Sequence, residues 1–578
     1  MKRAMVCLVL LGLCSGAWAA DAGLRVWPVD PLVKVLRSHT LPESPRQAIF
    51  IEACRGEVEN GQAAFRFAAD VAKLSATATP LVSDAGKTLC TPRVRFPGYI
   101  HLETNTSPHL QETGPQTLVA KAPVDIPDPL LEDDSIPAAA GQTGSVWLTV
   151  PVAADAQPGL YRGRLVVNAD GAEHPVFIAV KVHPARLPPR SELKIVNWYF
   201  PVVLTHTYRT KWWTPKHWQL IEADARIMAA HRLTVGHIIL NETIRAVEDA
   251  NGRVSFDFTH FDRLAATWRD AGLPWLIGSA LAGRHVWHSK DFYAIPLKLT
   301  RVDGSTAQFP APEDPKSKDE AKKRVHVSTP AFERYLAAFL PVFQKHLEEK
   351  GWLASYIQHQ ADEPVGTNAA AYIRLGQLVR KYAPKLRRAE AVRTTRIVGG
   401  LDIWAPLLNE LDRHIAFYRE RQKAGDEVWF YTCERPRGRY MNRQIDYPLI
   451  KTRLLHWANF ATATTGYLHW GYNPSWGNPF KNPGKVPGDA HLVYPGIARL
   501  RGLPESADKL HSLDSLRYEA MRDGIEDYDL LRLLAAKAPE KAETLSRKIV
   551  RSLTDYTLAP EEFNAGRREL LEGVSGLQ

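Results

Sequence analysis

Asp362 and Glu363 are adjacent carboxylates at the end of an apolar-to-polar run, Tyr356-Ile-Gln-His-Gln-Ala-Asp-Glu-Pro364. Two carboxylates this close repel, so one holds its proton near neutral pH while the other stays ionised. Glycoside cleavage asks for such a pair: a neutral acid for the leaving oxygen and an anion near the developing positive charge. The run reads as a strand stopped by Pro364, which biases Glu363 away from the right-handed helical region toward an extended conformation. On a regular strand, neighbouring side chains face opposite ways. Both carboxylates therefore reach one site only if at least one lies past the last regular strand residue. A solvated surface turn is the competing reading of the same residues.

The elements that must position this pair begin after a stiff, proline-rich linker, His183-Pro-Ala-Arg-Leu-Pro-Pro189. Strand patterns fall at 194–200, 234–240, 274–280, 354–360, 389–392, 401–404, 427–432 and 466–470. Helical patterns separate most of them, at 215–231, 261–271, 331–350, 368–382, 405–424 and 447–463. Eight strands without a Gly-rich dinucleotide turn predict a (β/α)8 TIM-type barrel over residues 185–503, with the site at the C-terminal strand ends. Strand six then brings Asp402 and Trp404, strand seven Tyr431 and Glu434, and strand eight Trp470, Tyr472 and Asn473. Aromatic faces stack on sugars, and amides and phenols bond their hydroxyls, although core packing competes for each ring. A long insert at 283–329, with a charged run at 313–324, reads either as a solvated loop or as a lid over the site.

Residues 21–184 carry short strands and turns, including a hairpin signal at Ala169-Asp-Gly171, and predict an antiparallel β-sandwich. A proline-rich, acidic segment at 106–141 is too long for a turn and is expected to lean on the neighbouring domain. From 504 to 578 the pattern is helical. Leu516, Ala520, Met521, Ile525 and Tyr528 recur at helical spacing, and the charges between them are expected to form i,i+4 pairs and contacts to the barrel.

The first twenty residues read as a secretory signal peptide: a basic head, an apolar run, and Ala17-Trp18-Ala19 as the cleavage site. No later stretch approaches the ~18 apolar residues of a membrane span, so a secreted or periplasmic location is expected. The formal charge of +10 is spread without a basic block, which argues against nucleic-acid binding. No zinc-type Cys/His spacing appears, and no cofactor or metal is expected. Beyond the signal region lie Cys54, Cys90 and Cys433. A Cys54–Cys90 bridge is compatible with an oxidising compartment, and Cys433 reads as a buried free thiol.

The chain also resembles glycoside hydrolase family 123, the β-N-acetylgalactosaminidases. The resembling pieces include Asp362-Glu363-Pro364, Leu401-Asp-Ile-Trp-Ala-Pro406, Trp429-Phe-Tyr-Thr-Cys433 with Pro436 and Asn442, and Gly466-Tyr-Leu-His-Trp470. They continue through Gly488-Asp-Ala-His-Leu-Val-Tyr-Pro495, Arg522-Asp-Gly-Ile-Glu-Asp-Tyr528 and, near the N-terminus, Pro127-Asp-Pro-Leu130. The resemblance implies a retaining, substrate-assisted β-N-acetylhexosaminidase acting on a glycan or glycoconjugate, in which the substrate's 2-acetamido group replaces a protein nucleophile. Glu363 would be the acid and base, and Asp362 would orient the acetamide. From strand position, Tyr431 is expected to donate to the acetamide oxygen and Trp470 to floor the reacting sugar, with Trp404, Tyr472, Asn473 and Asn442 as further binding residues. Two alternatives stay open: a double displacement with Glu434 as nucleophile on a non-acetamido sugar, and a non-catalytic glycan-binding protein.

Overall fold

In the computed structural model, residues 24–107, 117–312, 314–318, 322–473 and 477–576 are described. The expected signal peptide, and part of the charged run at 313–324, lie outside them.

Alternating apolar residues build two sheets at the N-terminal end. One, in spatial order, holds Leu24–Val29, Val58–Phe67, Thr143–Pro151, Arg93–Leu102 and Val124–Leu131. The other is built around the hairpin Gly159–Ala169 and Ala172–Arg186. Asp170 and Gly171 close that hairpin with φ of 48° and 96°, the double positive φ that matches the right-handed strand twist. The inward residues, among them Ile51, Phe65, Leu148, Leu165 and Ile178, form one dry core. The pairing departs from the all-antiparallel expectation at one strand, since Ala48–Arg55 runs parallel to Ala172–Arg186. The sheet hydrogen bonding continues to Arg186, so the first half of the proline-rich linker is strand.

After the linker the chain forms eight parallel strands: β1 (Lys194–Asn197), β2 (Val235–Ile238), β3 (Trp275–Gly278), β4 (Tyr356–His359), β5 (Arg387–Val392), β6 (Ile403–Pro406), β7 (Glu427–Val428 and Phe430–Tyr431) and β8 (Gly466–His469). β2 through the first half of β7 make a six-stranded parallel sheet, while β1, β8 and the second half of β7 make a three-stranded one. The break in β7 is bridged where Trp429 N donates to Trp404 O at 2.7 Å. Between β1 and β2 the links run through side chains, Ile195 N to Thr234 Oγ1 at 2.9 Å and Thr234 Oγ1 to Leu193 O. The sheet is curled. Val196, Val235, Ile277, Ile357, Ala389, Ile403, Tyr431 and Leu468, one from each strand, pack into a single cluster. Helices cover the outside, for example α1 (Pro215–Ala230), α2 (Thr259–Ala271) and α3 (Pro330–Glu349). No helix separates β5 from β6.

Two excursions leave the strand ends. Val254–Asp257, Arg245–Glu248, Leu297–Thr300 and Thr306–Phe309 pair, in that order, into a four-stranded sheet. The second pair belongs to the insert after β3, so much of that insert is a built element rather than a loop.

The longest C-terminal helix, α4 (Leu516–Ala535), is buried at every position from Leu516 to Leu531, charges included. Most of its ionic groups reach other elements; within the helix Arg522 pairs with Glu519 and Asp523. Arg517 grips Asp128 of the sandwich. Arg453 bonds Asp527 at 2.8 Å, Asp523 at 3.4 Å and Glu59 at 2.9 Å. Arg567 pairs with Asp527, Glu57 and Glu59. Gly524 makes this approach possible: a Cβ there would lie 2.2 Å from the Arg453 carbonyl oxygen. The proline-rich segment leans on its neighbour as expected, with Thr106 N and Oγ1 both donating to Asp446. Cys54 and Cys90 are free thiols, not a bridge. Cys54 belongs to the core shared with the helices, whereas Cys90 packs against the sandwich interior, so the fold holds them in different cores.

Candidate active site

At the C-terminal ends of the parallel strands lies a cleft of about 730 Å³, lined by Trp198, Trp287, Asp362, Glu363, Arg393, Tyr431, Cys433, Glu434, Arg435, Trp470 and Asp489, among others. β4 ends at His359. Asp362 and Glu363 both lie past the last regular residue, which resolves the problem of opposite faces on a strand. Glu363 is not extended. Its φ is +43°, so Pro364 excludes the right-handed region and the chain turns left-handed instead. A non-glycine residue there stores about 1–3 kcal/mol, which surrounding contacts must hold. Arg284 supplies one of them, donating Nη1 to the Glu363 carbonyl at 2.8 Å. Its Nη2 lies 3.5 Å from Asp362 Oδ2 and 3.9 Å from Glu363 Oε2. The Tyr431 hydroxyl donates to Glu363 Oε1.

Desolvation and the Glu363 charge together push the Asp362 carboxyl up to about 7. Its side chain is 45 % exposed to the cleft. The desolvation part therefore acts in full once substrate fills the cleft, whereas the repulsion from Glu363 is present throughout. Behind the pair, His359 and Glu390 are buried with Nε2 and Oε1 2.6 Å apart, and Glu390 Oε2 accepts from Ala361 N at 2.8 Å. Burial opposes the imidazolium, but the Glu390 carboxylate raises the His359 pKa above its usual value. His359, Asp362 and Glu390 present ligand atoms within 4.8 Å of one another. Both Glu390 oxygens are already engaged, so the group is a hydrogen-bonded support for the Asp362 loop rather than a metal cradle.

The structure brings Asp362, Glu363, Tyr431, Trp470 and Glu434 together. Glu434 is half-exposed and its Oε2 pairs with Arg437 Nη2 at 3.0 Å. Trp404, Tyr472, Asn473 and Asn442 lie elsewhere. Trp404 alternates with the inward Ile403 and Ala405 of β6, so its ring faces outward against Phe417 and its Nε1 donates to Asp426 at 2.7 Å. Tyr472 is buried between Tyr199 and Tyr518. The Asn473 amide is spent on the backbone of Phe200. Asn442, fully buried, donates to the carbonyls of Cys433 and Pro436 and thereby holds the loop that carries Glu434. Asp402 sits at the opposite end of β6, bound to Arg388.

Sequence reasoning missed Trp198, Trp287, Arg393, Arg435 and Asp489 of the lining, and Arg284 behind it. Trp198 follows β1. Arg284 and Trp287 come from the insert after β3, the part of the long connection that reaches the site; Lys323 and Arg324, from its charged run, line a separate cavity of about 250 Å³. Asp489 accepts from Trp470 Nε1 at 3.1 Å, and burial pushes its carboxyl up to about 7. Its Oδ1 has no hydrogen-bond partner among the described residues. The signal for Asp489 was present in the Gly488-Asp-Ala-His stretch, whereas Trp287 stands in no recognisable pattern.

The model of the glycoside hydrolase 123 catalytic domain matches residues 198–534, more than half of the chain. A family 123 glycoside hydrolase from Clostridium perfringens, described for glycolipid glycan hydrolysis, superposes with a TM-score of 0.72 at 15 % identity, covering 96 % of this chain and 98 % of that one. A GH10 xylanase from termite gut aligns at a TM-score of only 0.31 and 11 % identity, over 68 % of this chain and 91 % of its own. No curated protein matches the sequence. The protein is a glycosidase, and it belongs to glycoside hydrolase family 123.

Proposed function

We propose that this enzyme is a retaining β-N-acetylhexosaminidase, acting on N-acetylgalactosaminides, whose substrate supplies its own nucleophile. One observation carries the reading: Asp362 and Glu363 share one cleft beside the Tyr431 hydroxyl, while Glu434 is turned onto Arg437. Glu363 gives a proton to the leaving oxygen as the acetamide oxygen closes on the anomeric carbon. Asp362 accepts from the acetamide N–H and balances the oxazolinium charge, and Tyr431 moves its hydrogen bond to the acetamide oxygen. Glu363 then takes a proton from the water that opens the ring, and two inversions give retention. Trp470, fixed by Asp489, is the floor for the reacting sugar. We read the eight strands as a (β/α)8 barrel, because each contributes to the one enclosed cluster. The basic head, apolar run and Ala-Trp-Ala site of the first residues support secretion or periplasmic export. A glycolipid or other glycoconjugate is the substrate class, by likeness to the clostridial enzyme.

The test is turnover of aryl 2-acetamido-2-deoxy-β-galactosides against their 2-hydroxy counterparts. Turnover confined to the acetamido series, with inhibition by a thiazoline analogue, is expected. Cleavage of the 2-hydroxy series with fluorosugar labelling of Glu434 would replace this mechanism by a double displacement.

The mechanism also sets a pH profile. The pair must hold one proton: lost, there is no acid; doubled, Asp362 no longer accepts from the acetamide. Asp362 is raised to about 7, so the shared proton is present below that value and leaves above it. The kcat/KM is expected to fall about tenfold per pH unit on the alkaline side. A profile flat to pH 9 would contradict the shared proton.

A further inference from the structure

Arg393 follows β5 and lines the active-site cleft, half-buried, with its guanidinium 5.5 Å from the centre of the Trp287 ring. No hydrogen bond and no ion pair within 4.0 Å engages that guanidinium among the described residues. Arginine stays charged at every physiological pH. Most half-buried cations are therefore paired, as Arg284, Arg388 and Arg437 are in the same domain. Arg284 lies on the same indole ring at 4.1 Å, so two like charges share one aromatic platform, and among the described residues only Arg284 has a carboxylate within 4.0 Å. Balancing Glu363 does not account for Arg393. Glu363 already has the Tyr431 hydroxyl and Arg284, and Arg393 reaches it only as a longer-range charge.

The position fixes which part of a substrate would meet this cation. Trp470 and Asp489, from β8 and the loop after it, floor one side of the cleft. Glu363, the acid, faces the leaving oxygen. Trp287 and Arg393 follow β3 and β5, the two strands that flank the one carrying Glu363, and Trp287 is 40 % exposed. A sugar attached through the leaving oxygen would lie with one face on that ring and its substituents beside the guanidinium.

We propose that the leaving sugar of the natural substrate carries an anion, a carboxylate or a sulfate ester, received by Arg393 beside Trp287. This rests on Glu363 being the acid of an N-acetylgalactosaminidase. The probes are three disaccharides of N-acetylgalactosamine, β-linked to glucuronic acid, to glucose, and to 6-sulfoglucose. The wild-type enzyme is expected to favour at least one acidic probe over the neutral one by about tenfold or more in kcat/KM, the range of a charge-assisted hydrogen bond. Which acidic probe wins distinguishes carboxylate from sulfate. Arg393→Met should bring the acidic-to-neutral ratio close to one, whereas Arg393→Lys should retain part of it. Binding to the Glu363→Gln protein, measured by calorimetry, separates this inference from the reaction on which it rests. Arg393-dependent binding of an acidic probe without hydrolysis by the wild type would sink the N-acetylgalactosaminidase reading alone. Equal dissociation constants for acidic and neutral probes, or a preference that survives Arg393→Met, would overturn the anion site.

Discussion

Replacing Glu363 by glutamine is expected to lower kcat/KM for substrates with unactivated leaving groups by about 10²- to 10⁴-fold, the usual contribution of a positioned general acid. The amide keeps the size of the side chain and can still accept from Tyr431, so the fold and the cleft should be preserved. What it lacks is the proton. Aryl glycosides whose phenolate departs unaided should therefore lose much less at the first step than disaccharides do. That contrast separates acid catalysis from simple damage to the site, which would lower both classes alike. The backbone argues for the same role. A left-handed conformation at Glu363, held by Arg284 on its carbonyl, is strain kept for the sake of where the carboxyl points. Full activity of Glu363→Gln on disaccharides would falsify the assignment.

Asp128→Asn is expected to destabilise the protein by about 3–5 kcal/mol, the effect of leaving a buried charge without its partner. Arg517 and Asp128 are both fully buried. The guanidinium donates Nε to Asp128 Oδ1 and Nη2 to Oδ2, each at 2.9 Å, and spends its other hydrogens on the carbonyls of Arg443, Gly488 and His491. Burial alone would raise the Asp128 pKa, but Arg517 and Lys34 hold it below the ordinary carboxylate value. This contribution is thus present above the unfolded carboxylate pKa and disappears as pH falls through the depressed native one. Denaturant unfolding should show a lower midpoint in Asp128→Asn at neutral pH, with a smaller difference in acid. Gly488 precedes Asp489, so loosening Arg517 should also reduce activity. Substituting Asp128→Leu and Arg517→Met together should not restore stability, because the buried carbonyls of Arg443, Gly488 and His491 then lose their donor and the Lys34 ammonium loses the Asp128 charge.

Both predictions depend on groups with different visibility in the sequence. The Asp362-Glu363-Pro364 step could be read directly, because a strand pattern, a charge pair and a proline are local facts. Trp404 was misplaced because one register step decides whether a strand residue faces the cleft or the helices, and its neighbours Ile403 and Ala405 took the inner face. Tyr472 and Asn473 follow the end of β8, where the chain bends back over the core and their side chains turn to Tyr518 and Phe200. The charges of α4 gave an i,i+4 pattern that suits a solvated helix. Their actual partners, Arg95, Arg453 and Arg567, lie far away along the chain.

The sequence by itself therefore determined the strand-and-helix order, the sandwich ahead of it and the carboxylate pair, since periodicity, turn chemistry and adjacent residue types act over a few residues. Tertiary structure alone decided that Arg284 and Trp287 leave the insert for the carboxylate pair and the cleft, that Arg393 stands there without an ionic partner among the described residues, and that three parts of the chain are joined through buried ion pairs around Arg453, Arg517 and Arg567. The physical reason is one of range. A side chain's burial, and the energy of a charge once buried, depend on which distant groups meet it.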